Sequence, residues 1–152
     1  MNIFASNNCP IRSAETLDDK RVVKMCLETA QLLCTAVNQL GGTAPYKSTH
    51  VNHPCSVWAR QSLGNWKWLL RHGKALCAEY TSRFGRTHKC ENIMDYLEMY
   101  IDLGIFPESE QTPFPNCTSF KHIENTNLAY LIYLNEKWDN DKREPKWSRR
   151  VI

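Results

Sequence analysis

Placed on a helical wheel at about 100° per residue, Lys20, Arg21, Lys24, Glu28, Gln31, Thr35, Asn38 and Gln39 fall within an arc of roughly 100°. One carboxylate therefore shares a narrow strip with three cations. The rest of this stretch, from Val22 through Met25, Cys26, Leu27, Ala30, Leu32 and Leu33 to Val37, is almost wholly apolar. The strip has two readings. It is a solvated ridge with an ordinary Lys24–Glu28 pair worth about 0.3 kcal/mol, or it is the floor of a cleft in which Glu28 does acid–base work on an anionic substrate.

A second group of polar residues, Lys47, Thr49, His50, Asn52 and His53, lies in the loop before Pro54, just ahead of an expected helix start. Helix N-termini hold phosphates through their unpaired N–H groups. The same loop offers His50 and His53 to a zinc set with Cys55, His88 and Cys90. No CxxC or HxxxH pair accompanies them, however, so we expect no metal and read the histidines equally as structural hydrogen-bonding groups. Lys67, Arg71 and Lys74 share one face of a later helix. The tail carries Lys142, Arg143, Lys146, Arg149 and Arg150 against Glu144, with Trp147 among them. Cations with an interleaved ring suit nucleic acid, where they neutralise phosphates and the ring stacks on or wedges beside a base; a solubilising tail is the plainer alternative. Trp58, Trp66, Trp68 and Trp138, at helical spacings, are expected in the core.

Helices must position these groups. One is expected from about Asp19 to Leu40, stopped by Gly41-Gly42, with Asp18 and Asp19 at its positive end. A second runs from Cys55 to Phe84, with a break near Gly64-Asn65 and a stop at Gly85. A third spans Cys90 to Leu103, and a last one is capped by Asn125 and reaches about Trp138. Residues 105 to 121, with Pro107, Pro113 and Pro115, read as irregular loop. Nothing alternates with period two, so the fold class is all-α: three to four helices with long loops in one domain, 1–152. The 152 residues allow one real core and exclude a multidomain machine. At 42% hydrophobic with 11% aromatic the chain should fold, and a net charge of +3 permits a polyanionic partner without demanding one. Seven cysteines, an odd number set partly in helical apolar patterns, read as reduced thiols of a cytoplasmic protein. Neither a leader nor a run of about 18 apolar residues is visible, which argues against a membrane protein.

The order of several motifs resembles the pyrimidine dimer DNA glycosylases of the phage T4 endonuclease V type. These motifs are Leu17-Asp18-Asp19-Lys20-Arg21-Val22-Val23 with Glu28, then Asn52-His53-Pro54, and Ala78 to Gly85. Pro113-Phe114-Pro115, Tyr130 and Pro145-Lys146-Trp147 follow. The resemblance implies a monomeric all-helical viral protein, needing no cofactor, that binds duplex DNA. It would excise a damaged or modified pyrimidine and then nick the backbone as an AP lyase. It further implies a nucleophilic chain-terminal α-amine and one catalytic glutamate, which aligns without a gap on Glu28.

The site implied is thus Met1 and Asn2 at the terminus with Glu28 and Lys24, and phosphate contacts from Lys20, Arg21, Gln31, the 47–53 loop, Lys67, Arg71, Lys74, Lys146 and Trp147. An α-amine of ordinary pKa is roughly 10 to 15% unprotonated at pH 7, against about 0.04% for a lysine, so the terminus is the better nucleophile. The chain departs from the family at two positions where arginines flank and follow the glutamate, here Leu27 and Gln31, and at a histidine replaced by Arg21. Two other function classes remain open on sequence: a non-catalytic DNA-binding protein of the same fold, and a nuclease or base-modifying enzyme built on the His50–His53 loop.

Overall fold

The computed structural model describes residues 1–148; Arg149 and Arg150 of the basic tail lie outside the described residues. The helix expected to carry Glu28 spans Asp19–Gln39. Around it, in chain order, the helices are α1 (Pro10–Thr16), this α2 (Asp19–Gln39), α3 (Pro54–Gln61), α4 (Leu63–Phe84), α5 (Glu91–Leu97) and α6 (Thr126–Asn140). A 3-10 turn (Glu98–Asp102) continues α5. No strand occurs among the described residues, so the all-α reading is borne out. No helix is long and apolar enough to cross a membrane.

The core lies where α2 packs on α4 and α3, with α1 against the other side of α4. The α2 wheel was nearly right. Val22, Met25, Cys26, Ala30, Leu32, Leu33 and Val37 are buried, but so are the polar-strip members Arg21 and Thr35, while Val23 is 42% exposed. Trp58, Trp66 and Trp68 are buried as expected, whereas Trp138, expected with them, is only half-buried at the edge of the core.

The long second segment does break, two residues earlier than expected. Ser62 is extended (φ −154°, ψ 155°), and its side chain accepts from the Asn65 N–H to cap α4. Two further N–H groups of that first turn, on Leu63 and Gly64, donate to the carbonyls of Pro107 and Ser109, so the 105–121 loop supplies partners that a helix start otherwise lacks. Gly64 permits this approach, because a Cβ there would lie 2.4 Å from the Gln111 backbone nitrogen. Gly85, in the left-handed region at φ 71°, ends α4.

The start of α2 is tied down by three other elements. The Asp19 N–H donates to the Lys146 carbonyl at 2.8 Å. The buried Asp18 carboxylate accepts from Arg21 at 3.1 Å and from the Trp138 indole at 2.9 Å. Arg83, at the end of α4, donates to the carbonyls of Leu17 and Glu15 and to Asp19. The tail up to Ser148 is therefore a strap over α2: the Trp147 indole donates to the Thr16 carbonyl at 3.0 Å, and its ring stands edge-on to Trp138.

Candidate active site

Residues 1–6 form an irregular segment that enters the core. Ile3 and Ala5 are fully buried and Phe4 nearly so, its ring stacked on Tyr133 of α6. The Asn2 side-chain oxygen accepts from the N–H groups of Ile3 (2.7 Å) and Phe4 (3.0 Å). Asn127 of α6 donates to the Ala5 carbonyl at 2.7 Å. Phe4 has a φ of 43°, a conformation costing a non-glycine residue about 1–3 kcal/mol. The anchors on either side and the burial of three apolar side chains hold it there. The segment is bent so that its first residue faces α2.

Met1 has a side chain only 3% exposed, although the residue as a whole is half-buried. What solvent reaches is thus mainly its backbone end. Its α-amine nitrogen lies 3.7 Å from Glu28 Oε1, and Lys24 Nζ lies 3.8 Å from Oε2. These are ion-pair separations, longer than hydrogen bonds. Glu28 is 17% exposed and Lys24 70%. Glu28 Oε2 is buried with no hydrogen-bond partner among the described residues, so the carboxylate keeps accepting capacity for a ligand or water.

This pair sits in a cleft of about 210 Å³ lined by Met1, Asn2, Lys20, Arg21, Lys24, Glu28 and, from α6, Tyr133 and Lys137. Arg21 is the one cation there bound by carboxylates on both sides: it donates to Asp18 and, at 3.0 and 3.3 Å, to Asp141. The Arg21 hydrogen bonds hold the Asp141 carboxyl below the usual carboxylate range, assisted by the charges of Lys20 and Lys137. Arg21 is thus built into the wall, and Lys20, Lys24 and Lys137 form its cationic rim. Lys137 also lies over the Tyr133 ring, 4.7 Å from the centroid.

On the other side of Met1 and Glu28, a second pocket of about 500 Å³ is lined by Val23, Lys24, Leu27, Gln31, His50, His88 and Lys89. This explains the exposure of Val23, an apolar residue expected inside. His50, at φ 50°, takes a hydrogen bond of 2.8 Å between its Nδ1 and the Thr49 hydroxyl. The amine and Glu28 therefore stand on the shared wall of a polar cleft and a wider, more apolar one.

The remaining residues of interest are distributed elsewhere. Lys47 and Asn52 are exposed and line neither pocket. Thr49 ties its loop to α2 through Thr35. Lys67 lines a separate pocket beside Phe106 and Glu108, and Arg71 and Lys74 line a groove between α1 and α4. Lys74 pairs with Asp95 and Glu98. Lys146 is exposed, and Trp147 is 47% exposed on the strap.

Tyr133, Lys137 and Asp141 escape a sequence reading focused on α2. Tyr133 and Lys137, four residues apart, share one face of α6, and Asp141 follows at its extended end, but nothing local says that this face meets α2. Of the ligand-type residues weighed for zinc, His53 and Cys55 come together with Cys117, the one group of three among the described residues with ligand atoms within 4.8 Å of one another. The His53 Nδ1, however, accepts from the Cys55 N–H at 3.1 Å. A neutral imidazole has a single lone pair, so this ring has none left for an ion. Burial, then the charge of the nearby α-amine, pushes His53 below the usual histidine range and keeps it neutral at pH 7.

A protein-family model described as pyrimidine dimer DNA glycosylase matches residues 1–92. That span carries the terminal segment and α1 to α4, hence Met1, Lys20, Arg21, Lys24 and Glu28, but not α6 or the strap. No curated protein and no solved structure matches the chain.

Proposed function

The chain belongs to the pyrimidine dimer DNA glycosylase family, and from that premise we propose that it excises a damaged or modified pyrimidine from duplex DNA and then cleaves the strand as an AP lyase. Met1 supplies the nucleophilic α-amine and Glu28 moves the protons. The observation that carries this reading is the 3.7 Å approach of the amine to Glu28 in a cleft rimmed by lysines. The unprotonated amine attacks C1′ of the sugar. The glycosidic electrons leave with the base, and opening of the sugar ring yields an imine. Loss of a 2′ proton then expels the 3′ phosphate. Each stage needs a proton taken up or delivered beside C1′, a task for a carboxylate in contact with the amine. Asn2 positions the amine, and Lys20, Lys24 and Lys137 meet the phosphates that flank the extruded nucleotide. A single helical domain suffices for this chemistry.

Borohydride reduction in the presence of abasic-site duplex should trap a covalent adduct, with the linked peptide ending in Met1. Acetylating the terminus should abolish trapping. Glu28→Gln should lower strand cleavage by about 10²- to 10⁴-fold, the usual worth of a positioned acid–base group, with unchanged circular dichroism. Binding to duplex without any adduct or nicking would assign the chain instead to the non-catalytic DNA-binding class.

A further inference from the structure

Behind the wall of the cleft lies a pair of cysteines that this chemistry does not use. Cys55 is fully buried in the first turn of α3, and its sulfur is 3.4 Å from that of Cys117, a half-buried residue of the 105–121 loop. The Cys55 sulfur is also in hydrogen-bonding reach of the Ile3 backbone, two residues from the α-amine. Cys117 is fixed through its backbone and lies near positive charge. Its N–H donates to the Tyr130 hydroxyl at 3.3 Å, that hydroxyl donates to the Pro115 carbonyl, and Lys121 and the α-amine contribute positive charge nearby.

We propose that Cys117 and Cys55 form a peroxide-reactive thiol pair, in which Cys117 is oxidised first and Cys55 resolves it to a disulfide. The two sulfurs divide the labour by their surroundings. The Cys55 hydrogen bond, with the charges of Lys121 and the α-amine, holds the Cys117 thiol below the usual thiol range, whereas Cys117 and burial push Cys55 up. The thiolate is the nucleophile in such oxidations, and exposure sets access. Cys117 is the half-buried member of the pair, whereas Cys55 is fully buried but already in contact with it.

The steps balance. The Cys117 thiolate attacks one oxygen of hydrogen peroxide and the O–O bond breaks. The departing hydroxide takes a proton to become water, leaving a sulfenic acid. The Cys55 sulfur then attacks the Cys117 sulfur, the S–O bond breaks, and the leaving hydroxide takes the Cys55 proton as a second water. Two electrons pass from the two thiols to one peroxide. The other close pair, Cys26 and Cys77, is buried on both sides and offers an oxidant no entry. With the His53 lone pair committed to the Cys55 N–H, the ring does not draw the two sulfurs onto an ion.

The reduced full-length protein, treated with one equivalent of hydrogen peroxide, should lose about 2 Da, the mass of the two hydrogens removed. Digestion with trypsin should then join the peptide of residues 48–60 to that of residues 90–121. Cys117→Ser and Cys55→Ser should each abolish the link, while Cys90→Ser, which removes the other thiol of the longer peptide, should leave it intact. Accumulation of sulfinic acid at Cys117 with no link would overturn the proposal. So would prior oxidation of Cys9, or a stoichiometric zinc ion on the pair that blocks oxidation. None of these readouts depends on strand cleavage, so failure here and failure of the glycosylase reading are separately visible.

Discussion

At the residue scale the position of the amine depends on Asn2 more than on Met1. The Asn2 side-chain oxygen is the acceptor for two consecutive buried N–H groups, and this turn aims the first residue at Glu28. Asn2→Ala should leave both N–H groups without that acceptor, at a cost of about 1–3 kcal/mol each way such a group is orphaned, and slow borohydride trapping because the amine is no longer held. Asn2→Asp keeps the acceptor oxygen and should restore most of both. Urea denaturation read beside the trapping rate separates the two effects. Equal trapping by Asn2→Ala would show that the core burial of Ile3 and Phe4 alone fixes the terminus. Glu28 was legible in the sequence because helical periodicity is strong over 21 residues and puts one acid among cations. Its pairing with Met1 was implied by the family resemblance alone and not by any pattern in the chain, since the approach follows from a left-handed Phe4 and an anchor on Asn127, neither of which leaves a periodic trace.

At the scale of elements, the packing of α1 on α4 turns on His72. The ring is fully buried, stacks on Trp68, donates from Nδ1 to the Pro10 carbonyl at the start of α1, and leaves Nε2 with no partner. Burial, only partly opposed by the Pro10 hydrogen bond, pushes its pKa down to about 4, against an unfolded value of about 6.5. Between these values the unfolded chain binds a proton that the folded chain does not. Its contribution is therefore complete above about pH 6.5 and is lost as the pH falls towards 4, by up to about 3 kcal/mol over the full shift. His72→Gln retains a donor for Pro10 and should flatten the dependence of Tm on pH across this window; an unaltered slope would place the acid sensitivity elsewhere. The same contact shows why α1 was missed. A seven-residue helix with Pro10 at its first position shows no repeating apolar period, and it is held by tertiary bonds from His72 and Arg83, with Trp68 bonded to Asn8 just ahead of it. The α2, α4 and α6 helices, with long periods and a glycine stop or a side-chain cap, were readable within about two residues.

Across the whole molecule, a net charge of +3 conceals an uneven surface. The cations on α4 are partly neutralised, with Lys74 held by Asp95 and Glu98, and the described part of the basic tail is bound to the start of α2 and the end of α1 through Lys146, Trp147 and Ser148. The cleft rim instead draws Lys20 and Lys24 from α2 and Lys137 from α6, side chains far apart in the sequence, which composition and local pattern could not bring together. If these three lysines meet phosphates, each releases counterions on binding. The triple change to alanine should then reduce the slope of log K against log salt by about 2.7 for B-form duplex, at about 0.9 per phosphate contact. Lys74→Ala should leave the slope as it is, because its charge is already taken by two carboxylates. Titrating a fluorescent abasic duplex at several salt concentrations checks both. Equal slopes for the two variants would move the duplex off the cleft and onto the α4 face, and would leave the Met1–Glu28 pair without a route to its sugar.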